Sequence, residues 1–391
     1  MLTKIFAGIA VVIVCLYAGM WIFATALHAS SDSRPWPKSL GVVADAAKQY
    51  PEREDNAAAN ELIKLTTPLG ISIKPLERKS SVRGGYEDVK KSFSDYVTTE
   101  LERTSDRSTP PPADVATFLA ANGAQIDQLR DHIANAGPIR WQMHFRLGAE
   151  APIPNLLGHI SLAKLFAARA LAKAANHDAT AWDDLHAVWL LDRELWDRPE
   201  LISQLIALAG TRMVNGAAVK MPLPAPAWLD ELQTRDYRRD FARSFQADAA
   251  SWTIMFKRDL QKRTVKTSIM YPFLDACLTD GAEQMRRETV RLSSMSNCDL
   301  SNVPPLSLNQ WNVISKIAFP NLTSAWQRLY RFQAEREATV KALALRRGEA
   351  PSTSSACTDG KWIVDANSVK FDRAIPISVG TKYPLQYAVT R

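Results

Sequence analysis

The amino-acid sequence predicts a mainly α-helical protein with an N-terminal transmembrane helix, an extracytoplasmic helical bundle and a small C-terminal antiparallel β meander. Three observations lead to this fold class. An uncharged apolar run fills residues 5–27, apolar residues recur at helical spacing through most of the chain, and short segments after residue 360 have strand-like patterns. The expected regions are the transmembrane helix, an N-terminal helical region with a linker, a bundle core, and a C-terminal loop with a small sheet, at residues 1–29, 30–110, 111–350 and 351–391.

The first element is predicted from the run IFAGIAVVIVCLYAGMWIFATAL at residues 5–27, which contains no charged residue. As a helix it would be about 34 Å long at ~1.5 Å per residue, enough to cross a bilayer core of ~30 Å. A cleaved signal peptide is the alternative, because Ala24, Thr25 and Ala26 offer a site of small residues, although its apolar core usually has only ~7–15 residues. Both interpretations place the remaining chain outside the cytosol. We therefore expect a single-pass protein of the inner (cytoplasmic) membrane whose bulk is extracytoplasmic, which means periplasmic in a Gram-negative cell.

Composition and cysteine usage agree with that location. The 391 residues are 46% hydrophobic and 23% charged, which is typical of a globular chain and excludes the disordered class. Beyond the leader lie Cys277, Cys298 and Cys357, and an oxidising compartment favours one bridge among them. Cys277–Cys298 closes the shortest loop and is the first expectation. Cys298–Cys357, which would tie the helical body to the C-terminal tail, is the alternative.

The central part of the chain is densely helical. Residues 155–175 carry apolar side chains on nearly every face, which is typical of a helix inside a bundle. Residues 182–196 and 201–209 follow after short connections, so these three helices are expected to pack up and down. Further helices are predicted at 40–49, 56–67, 86–101, 234–264 and 322–347, and strands at 361–364, 368–371, 375–379 and 384–389.

The stretch HDATAWDDLH, residues 177–186, concentrates two histidines and three aspartates. The simplest interpretation is a helix start, in which Thr180 caps the helix and Asp183 occupies its third position, as in a capping box. Asp183 and Asp184 would then lie in the first turn, where the helix dipole stabilises each negative charge by ~0.3–1 kcal/mol. This interpretation accounts for the residues without any catalytic role.

The alternative is a metal-assisted hydrolase. Its ligands and catalytic groups would be His177, Asp178, Asp184 and His186, with His159 from the preceding helix. His177 and His186 are nine residues apart, however, and do not share the i, i+4 spacing of a helical ligand pair. We therefore expect no metal and no cofactor at this stretch.

The helix predicted at 234–264 has a basic side. One interpretation is a solvated outer face, and the other is a surface that binds acidic lipid headgroups or an acidic envelope polymer. Nucleic acid is not an expected partner, because the chain is expected to lie outside the cytosol. The basic residues are Arg238, Arg239, Arg243, Lys257, Arg258 and Lys262.

The absence of known catalytic and nucleotide-binding motifs limits the functions that the sequence suggests. It contains no G-x-S-x-G elbow, no Walker loop, no G-x-G-x-x-G motif and no C-x-x-C pair. The first hypothesis is therefore a membrane-anchored protein that works by binding, as an envelope scaffold or interaction component with a protein partner. The metal-assisted hydrolase is the second hypothesis.

Overall fold

A computed structural model describes residues 2–74, 85–261, 265–298, 300, 303, 309–312, 322–375 and 383–390. It confirms a mainly helical protein with an N-terminal apolar helix and a small C-terminal antiparallel sheet. The helices α1 to α13 are Leu2–Asp32, Ala46–Gln49, Ala57–Thr66, Tyr86–Glu102, Ala113–Ala121, Gly123–Asn135, Leu156–Ala175, Ala181–Trp196, Leu201–Ala218, Trp228–Thr234, Tyr237–Gln261, Val265–Ser293 and Leu322–Arg346. Short 3₁₀ turns occur at Val43–Asp45, Thr67–Leu69 and Phe145–Glu150, and strands β1 to β3 are Trp362–Asp365, Ser368–Phe371 and Gln386–Ala388.

Local capping explains where the helices begin. The Asn56 side chain accepts a hydrogen bond from the Ala59 amide at 2.9 Å and so caps the start of α3. The Asn155 side chain does the same for α7, accepting from the Gly158 amide at 3.1 Å. Each cap satisfies an amide that would otherwise lack a partner in the first turn.

Helix α1 is long and apolar enough to span a membrane. The span extends from Gly8 to Asp32, and its most apolar 18-residue stretch is 6% buried. The helix continues past the predicted end at residue 29, and the polar segment that follows packs against the body. Trp36 and Leu40 are buried, and Arg34 donates to Glu283 of α12 at 2.7 Å. The end of α1 is thus fixed to the body.

The core is centred on α7, α8 and α9, the three helices predicted to pack together. Trp189 and Trp196 of α8 and Trp326 of α13 are fully buried there. Phe93 of α4 belongs to the same buried cluster, although the sequence suggests a region boundary near residue 110. The described residues on both sides of that boundary therefore share one hydrophobic core.

The C-terminal sheet has the order β1-β2-β3 with antiparallel neighbours. Val364 pairs with Val369, and Val369 pairs in turn with Tyr387. Two of the predicted strands are confirmed at nearly the predicted positions, and Gln386–Ala388 lies within a third. The strand predicted at 375–379 falls outside the described residues except for Ile375.

The preferred disulfide prediction, Cys277–Cys298, is wrong: Cys298 pairs with Cys357, at a Cα–Cα distance of 5.2 Å. Cys277 lies buried in the middle of α12, about 24 Å before the end of that helix at ~1.5 Å per residue. The few residues between Ser293 and Cys298 cannot return over that distance to bridging range. The Thr358 amide instead bonds to the Ser296 carbonyl at 3.0 Å, which brings the tail beside Cys298.

Candidate functional site: the α7–α8 turn and its cleft

The His177-Asp178 pair forms the turn that ends α7. His177 has a φ of 57°, in the left-handed region. Its amide bonds to the Ala174 carbonyl and the Asp178 amide to the Lys173 carbonyl, both at 3.0 Å. These two bonds are the Schellman pattern, in which a left-handed residue closes a helix and satisfies its last carbonyls. His177 therefore has a structural role in the backbone.

The start of α8 differs from the predicted capping box. Thr180 does not accept a side-chain hydrogen bond from the helix. Its hydroxyl and its amide both donate to Asp178 Oδ1, each at 2.9 Å, and these bonds lower the pKa of Asp178. The dihedral angles of Thr180 are already helical (φ −68°, ψ −4°), whereas a capping residue is extended. Asp178, rather than Thr180, thus orders this turn.

Asp184 is more than a first-turn acid near a helix dipole. Its side chain is fully buried, and Arg169 Nη2 and Lys173 Nζ lie 2.7 Å and 2.9 Å from its carboxylate oxygens. Arg169 also pairs with Asp127 of α6 at 2.8 Å. The aspartate therefore joins α8 to α7, and α7 is joined in turn to α6.

The remaining two histidines are packed against tryptophans. The His186 ring stacks on Trp228 with ring centroids 4.9 Å apart, and burial, followed by the charge of Arg193, lowers its pKa. His159 is buried edge-to-face against Trp141, with ring centroids 5.3 Å apart. Neither of its ring nitrogens has a hydrogen-bond partner among the described residues.

These five residues do not converge on one point. Within the described part of the chain, the single group of three metal-ligating side chains with ligand atoms within 4.8 Å of one another is Cys298, Cys357 and Asp359. The two cysteines of that group form the disulfide. The structure thus offers no common ligand centre for the residues of the hydrolase hypothesis, namely His159, His177, Asp178, Asp184 and His186.

The basic side of α11 is largely engaged within the protein. Arg238 donates to the Met295 carbonyl at 2.9 Å and lies over the Tyr330 ring. Arg243 lies over the Tyr50 ring, and Arg258 Nη2 donates to Glu150 at 2.6 Å. Arg239 is exposed. The side chain of Lys257 and all of Lys262 lie outside the described residues.

A surface cleft of about 610 Å³ opens beside the α7–α8 turn. Its walls come from α5, α6, α7 and the start of α8. Three basic and three acidic residues line it, so the formal charges balance. The lining residues are Leu119, Ala120, Gly123, Asp127, Arg130, Arg169, Ala172, Lys173, Asn176, Asp178, Thr180 and Asp183.

The charged groups of the cleft are held in place before any ligand arrives. Arg130 pairs with Asp127 at 2.9 Å and with Asp131 at 2.8 Å. The guanidinium of Arg169 is fixed between two carboxylates, as described above. Such preorganised donors and acceptors suit recognition of a polar ligand, because little side-chain ordering remains to be done on binding. Sequence reasoning identified Asp178 and Asp183 but missed the basic residues opposite them.

Replacement of His159 by phenylalanine is expected to make the protein less sensitive to acid. Burial, with a further contribution from the charge of Arg198, lowers the pKa of His159 from 6.5 to about 3. Below pH ~6.5 the unfolded state therefore binds a proton that the folded state does not bind. The contribution of His159 to the free energy of unfolding is fully present above pH ~6.5 and is lost as the pH falls towards 3. Between pH 7 and 5 the native protein should lose about 2 kcal/mol more than the variant, at 1.36 kcal/mol per pH unit.

The measurement is denaturant unfolding of both proteins in detergent at a series of pH values. Between pH 7 and 8 the two stability curves should run parallel, since the imidazole is neutral in both states there. Equal slopes between pH 7 and 5 would contradict the assignment of His159 as a buried neutral ring.

The fold and the site together define a mainly helical protein with one helix able to span a membrane and a charge-balanced surface cleft. Comparison with known protein families, with curated proteins and with solved structures finds no match to this chain. Its function is therefore argued from its own geometry.

Proposed function

We propose that this chain is a single-pass protein of the cytoplasmic membrane, anchored by α1, whose helical body lies outside the cytosol and acts by binding a protein partner. The observation that favours the non-cytosolic side of the membrane is the disulfide between Cys298 and Cys357. Such bridges persist in oxidising compartments and are rare in the cytosol. The largely exposed apolar surface of α1 supports the anchor, because water would disfavour it.

The binding site of this proposal is the cleft beside the α7–α8 turn. Its volume of about 610 Å³ falls in the range of ~300–1,000 Å³ that is usual for ligand sites. Because Arg130 and Arg169 are already paired with carboxylates, the cleft has no surplus of cations for nucleic acid or an acidic polymer. A peptide segment that carries charges of both signs matches the lining better.

The sidedness is tested with two reporters fused to the C-terminus of the full chain. A phosphatase that folds only with disulfides should be active, and a reporter that functions only in the cytosol should be silent. The opposite pattern would refute the proposed location.

Binding is tested by photo-crosslinking in native membranes. A photoreactive residue is placed at Asn176, which is exposed at the rim of the cleft, and at Val340 of α13 as a matched exposed control. We expect an adduct of defined mass from position 176 alone. The change Asp183→Lys, at an exposed cleft residue, should weaken that adduct at least about fivefold, corresponding to ~1 kcal/mol. Equal adducts at both positions, or an adduct insensitive to the charge change, would reject the cleft as the site.

A further inference from the structure

Helix α12 runs alongside the distal part of α1, in the same direction. The Trp21 and Tyr271 rings are 5.0 Å apart, and further along His28 Nδ1 lies 3.4 Å from Thr279 Oγ1. Beyond the end of α1, the Pro35 carbonyl accepts a hydrogen bond from Arg286 at 3.1 Å. The two segments thus remain adjacent over about 20 Å at ~1.5 Å per residue.

Both helices change from apolar to polar at the same level. The uncharged run of α1 ends at Leu27 and is followed by His28, and in α12 the apolar stretch IMYPFL at 269–274 is followed by Asp275. His28 Nδ1 and Asp275 Oδ1 are 4.0 Å apart, which sets the two transitions side by side. In one helix alone such a transition marks a membrane boundary, and here a body helix shares it.

A layer of fixed charge lies beyond this transition. Glu283 of α12 accepts hydrogen bonds from Arg34, Arg286 and Arg287 at 2.7–2.9 Å. Burial raises the pKa of Glu283, but these bonds outweigh it and lower the pKa to about 2. The carboxylate is therefore ionised at neutral pH, and this layer belongs in water or among headgroups.

We propose that residues 269–274 of α12 lie in the non-cytosolic leaflet beside α1, so that the body contacts the bilayer directly. The surface that meets lipid is formed by Met270 and the two aromatic pairs. Met270 is 48% exposed and Trp311 is 38% exposed. Phe23 and Trp311 are 5.9 Å apart, close to the Trp21–Tyr271 pair. Aromatic rings grouped at one depth are typical of the membrane interface.

The occupant that this surface favours is a lipid layer. Its apolar and aromatic side chains continue the exposed apolar surface of α1, for which lipid is the proposed surrounding. No charged residue lies between Ile269 and Leu274, so this stretch can enter hydrocarbon without burying a charge.

The test places nitroxide labels on the full chain in lipid nanodiscs. Collisions with oxygen, which concentrates in the bilayer, are compared with collisions with a water-soluble nickel chelate. The native Cys15 of α1 is exposed and serves as the reference for membrane insertion. Met270→Cys and Val340→Cys are labelled in a Cys15→Ala background, and Val340 of α13 is 44% exposed and acts as the aqueous control.

The inference rests on the proposed membrane anchor, and the labels separate the two. We expect the ratio of oxygen to nickel accessibility to be several-fold higher at positions 15 and 270 than at position 340. A lipid-exposed Cys15 with a water-exposed label at position 270 would overturn this inference alone. A position 270 label shielded from both reagents would also overturn it, since another protein surface and not lipid would then cover the site. A water-exposed Cys15 would refute the anchor itself.

Discussion

Replacement of Asp184 by alanine is expected to lower the free energy of unfolding by about 3–5 kcal/mol, the usual cost of leaving a buried charge without its partner. The Asp184 side chain is fully buried, and Arg169 is nearly so, with 7% of its side chain exposed. Without the aspartate, Arg169 retains only Asp127, which is half exposed, and Lys173 loses its ion pair with α8. The variant should also loosen the cleft, because Arg169 and Lys173 form part of its lining.

The neighbouring residue supplies a matched control. Asp183 has the same chemistry and lies in the same turn, but its side chain is exposed. Asp183→Ala should therefore cost no more than ~1 kcal/mol, the value of a surface charge at a helix start. Both variants are compared with the native chain by denaturant unfolding in detergent, followed through tryptophan fluorescence. Equal losses for the two aspartates would contradict the structural role assigned to Asp184.

The elements that the sequence predicts well are those whose signals are local. Asn56 and Asn155 each precede an apolar helical pattern, and each caps the helix that follows. The strands Trp362–Asp365 and Ser368–Phe371 are short, rich in β-branched and aromatic residues, and separated by a two-residue turn. Such signals act within a few residues and depend little on the rest of the fold.

Other elements are missed because their local signals are mixed. Helix α12 contains Pro272, a residue that normally breaks a helix, and its apolar residues do not form one clear stripe. Packing against α1 and α11 outweighs that preference. Helices α5 and α6 are separated by Asn122 alone, and α6 begins with Gly123, a poor helix former, so the sequence gives no clear signal for the start of α6. Because these two helices form one wall of the cleft, the cleft itself could not be predicted.

Partnerships between distant residues are a second class that the sequence does not show. Asp178 and Thr180 both occur at helix starts, so composition cannot decide which of them orders the turn. The shortest-loop rule favours Cys277 as the partner of Cys298 because it treats the chain as flexible. Helix α12 instead holds Cys277 at a fixed distance from Cys298. In each case the outcome depends on backbone geometry that only the folded chain defines.

The second large effect on stability is expected from replacing Glu335, which lies at the contact between α13 and the C-terminal segment. Its carboxylate accepts two hydrogen bonds from Arg212 of α9, at 2.6 and 2.7 Å, and one from Arg331 at 3.1 Å. Arg331 in turn donates to the carbonyls of Ile375 and Tyr383. The glutamate therefore balances two buried cations, and one of these holds the C-terminal segment in place.

Glu335→Gln is accordingly expected to cost about 3–5 kcal/mol, because two guanidinium groups lose their shared counter-charge in a site with little water. Glu337, two residues along the same helix, is the matched control. One of its oxygens accepts bonds from the Trp362 indole at 2.7 Å and the Ser355 hydroxyl at 2.8 Å, and the other accepts from the Ala356 amide at 2.7 Å. All three donors are neutral, and a glutamine oxygen can still accept from Trp362 and Ser355, so Glu337→Gln loses only the bond from the exposed Ala356 amide and should cost about 1 kcal/mol.

The two variants also differ in which part of the chain they release. With Arg331 no longer fixed by Glu335, the segment after residue 371 should be cut by protease earlier than in the native chain, while the Cys298–Cys357 bridge still retains the loop before β1. Mass spectrometry of limited digests identifies the cut, and denaturant unfolding gives the stability. Equal results for Glu335→Gln and Glu337→Gln in both measurements would contradict this role of the buried charge cluster. The attachment of the C-terminal segment would then depend on neutral hydrogen bonds and on the packing of the sheet.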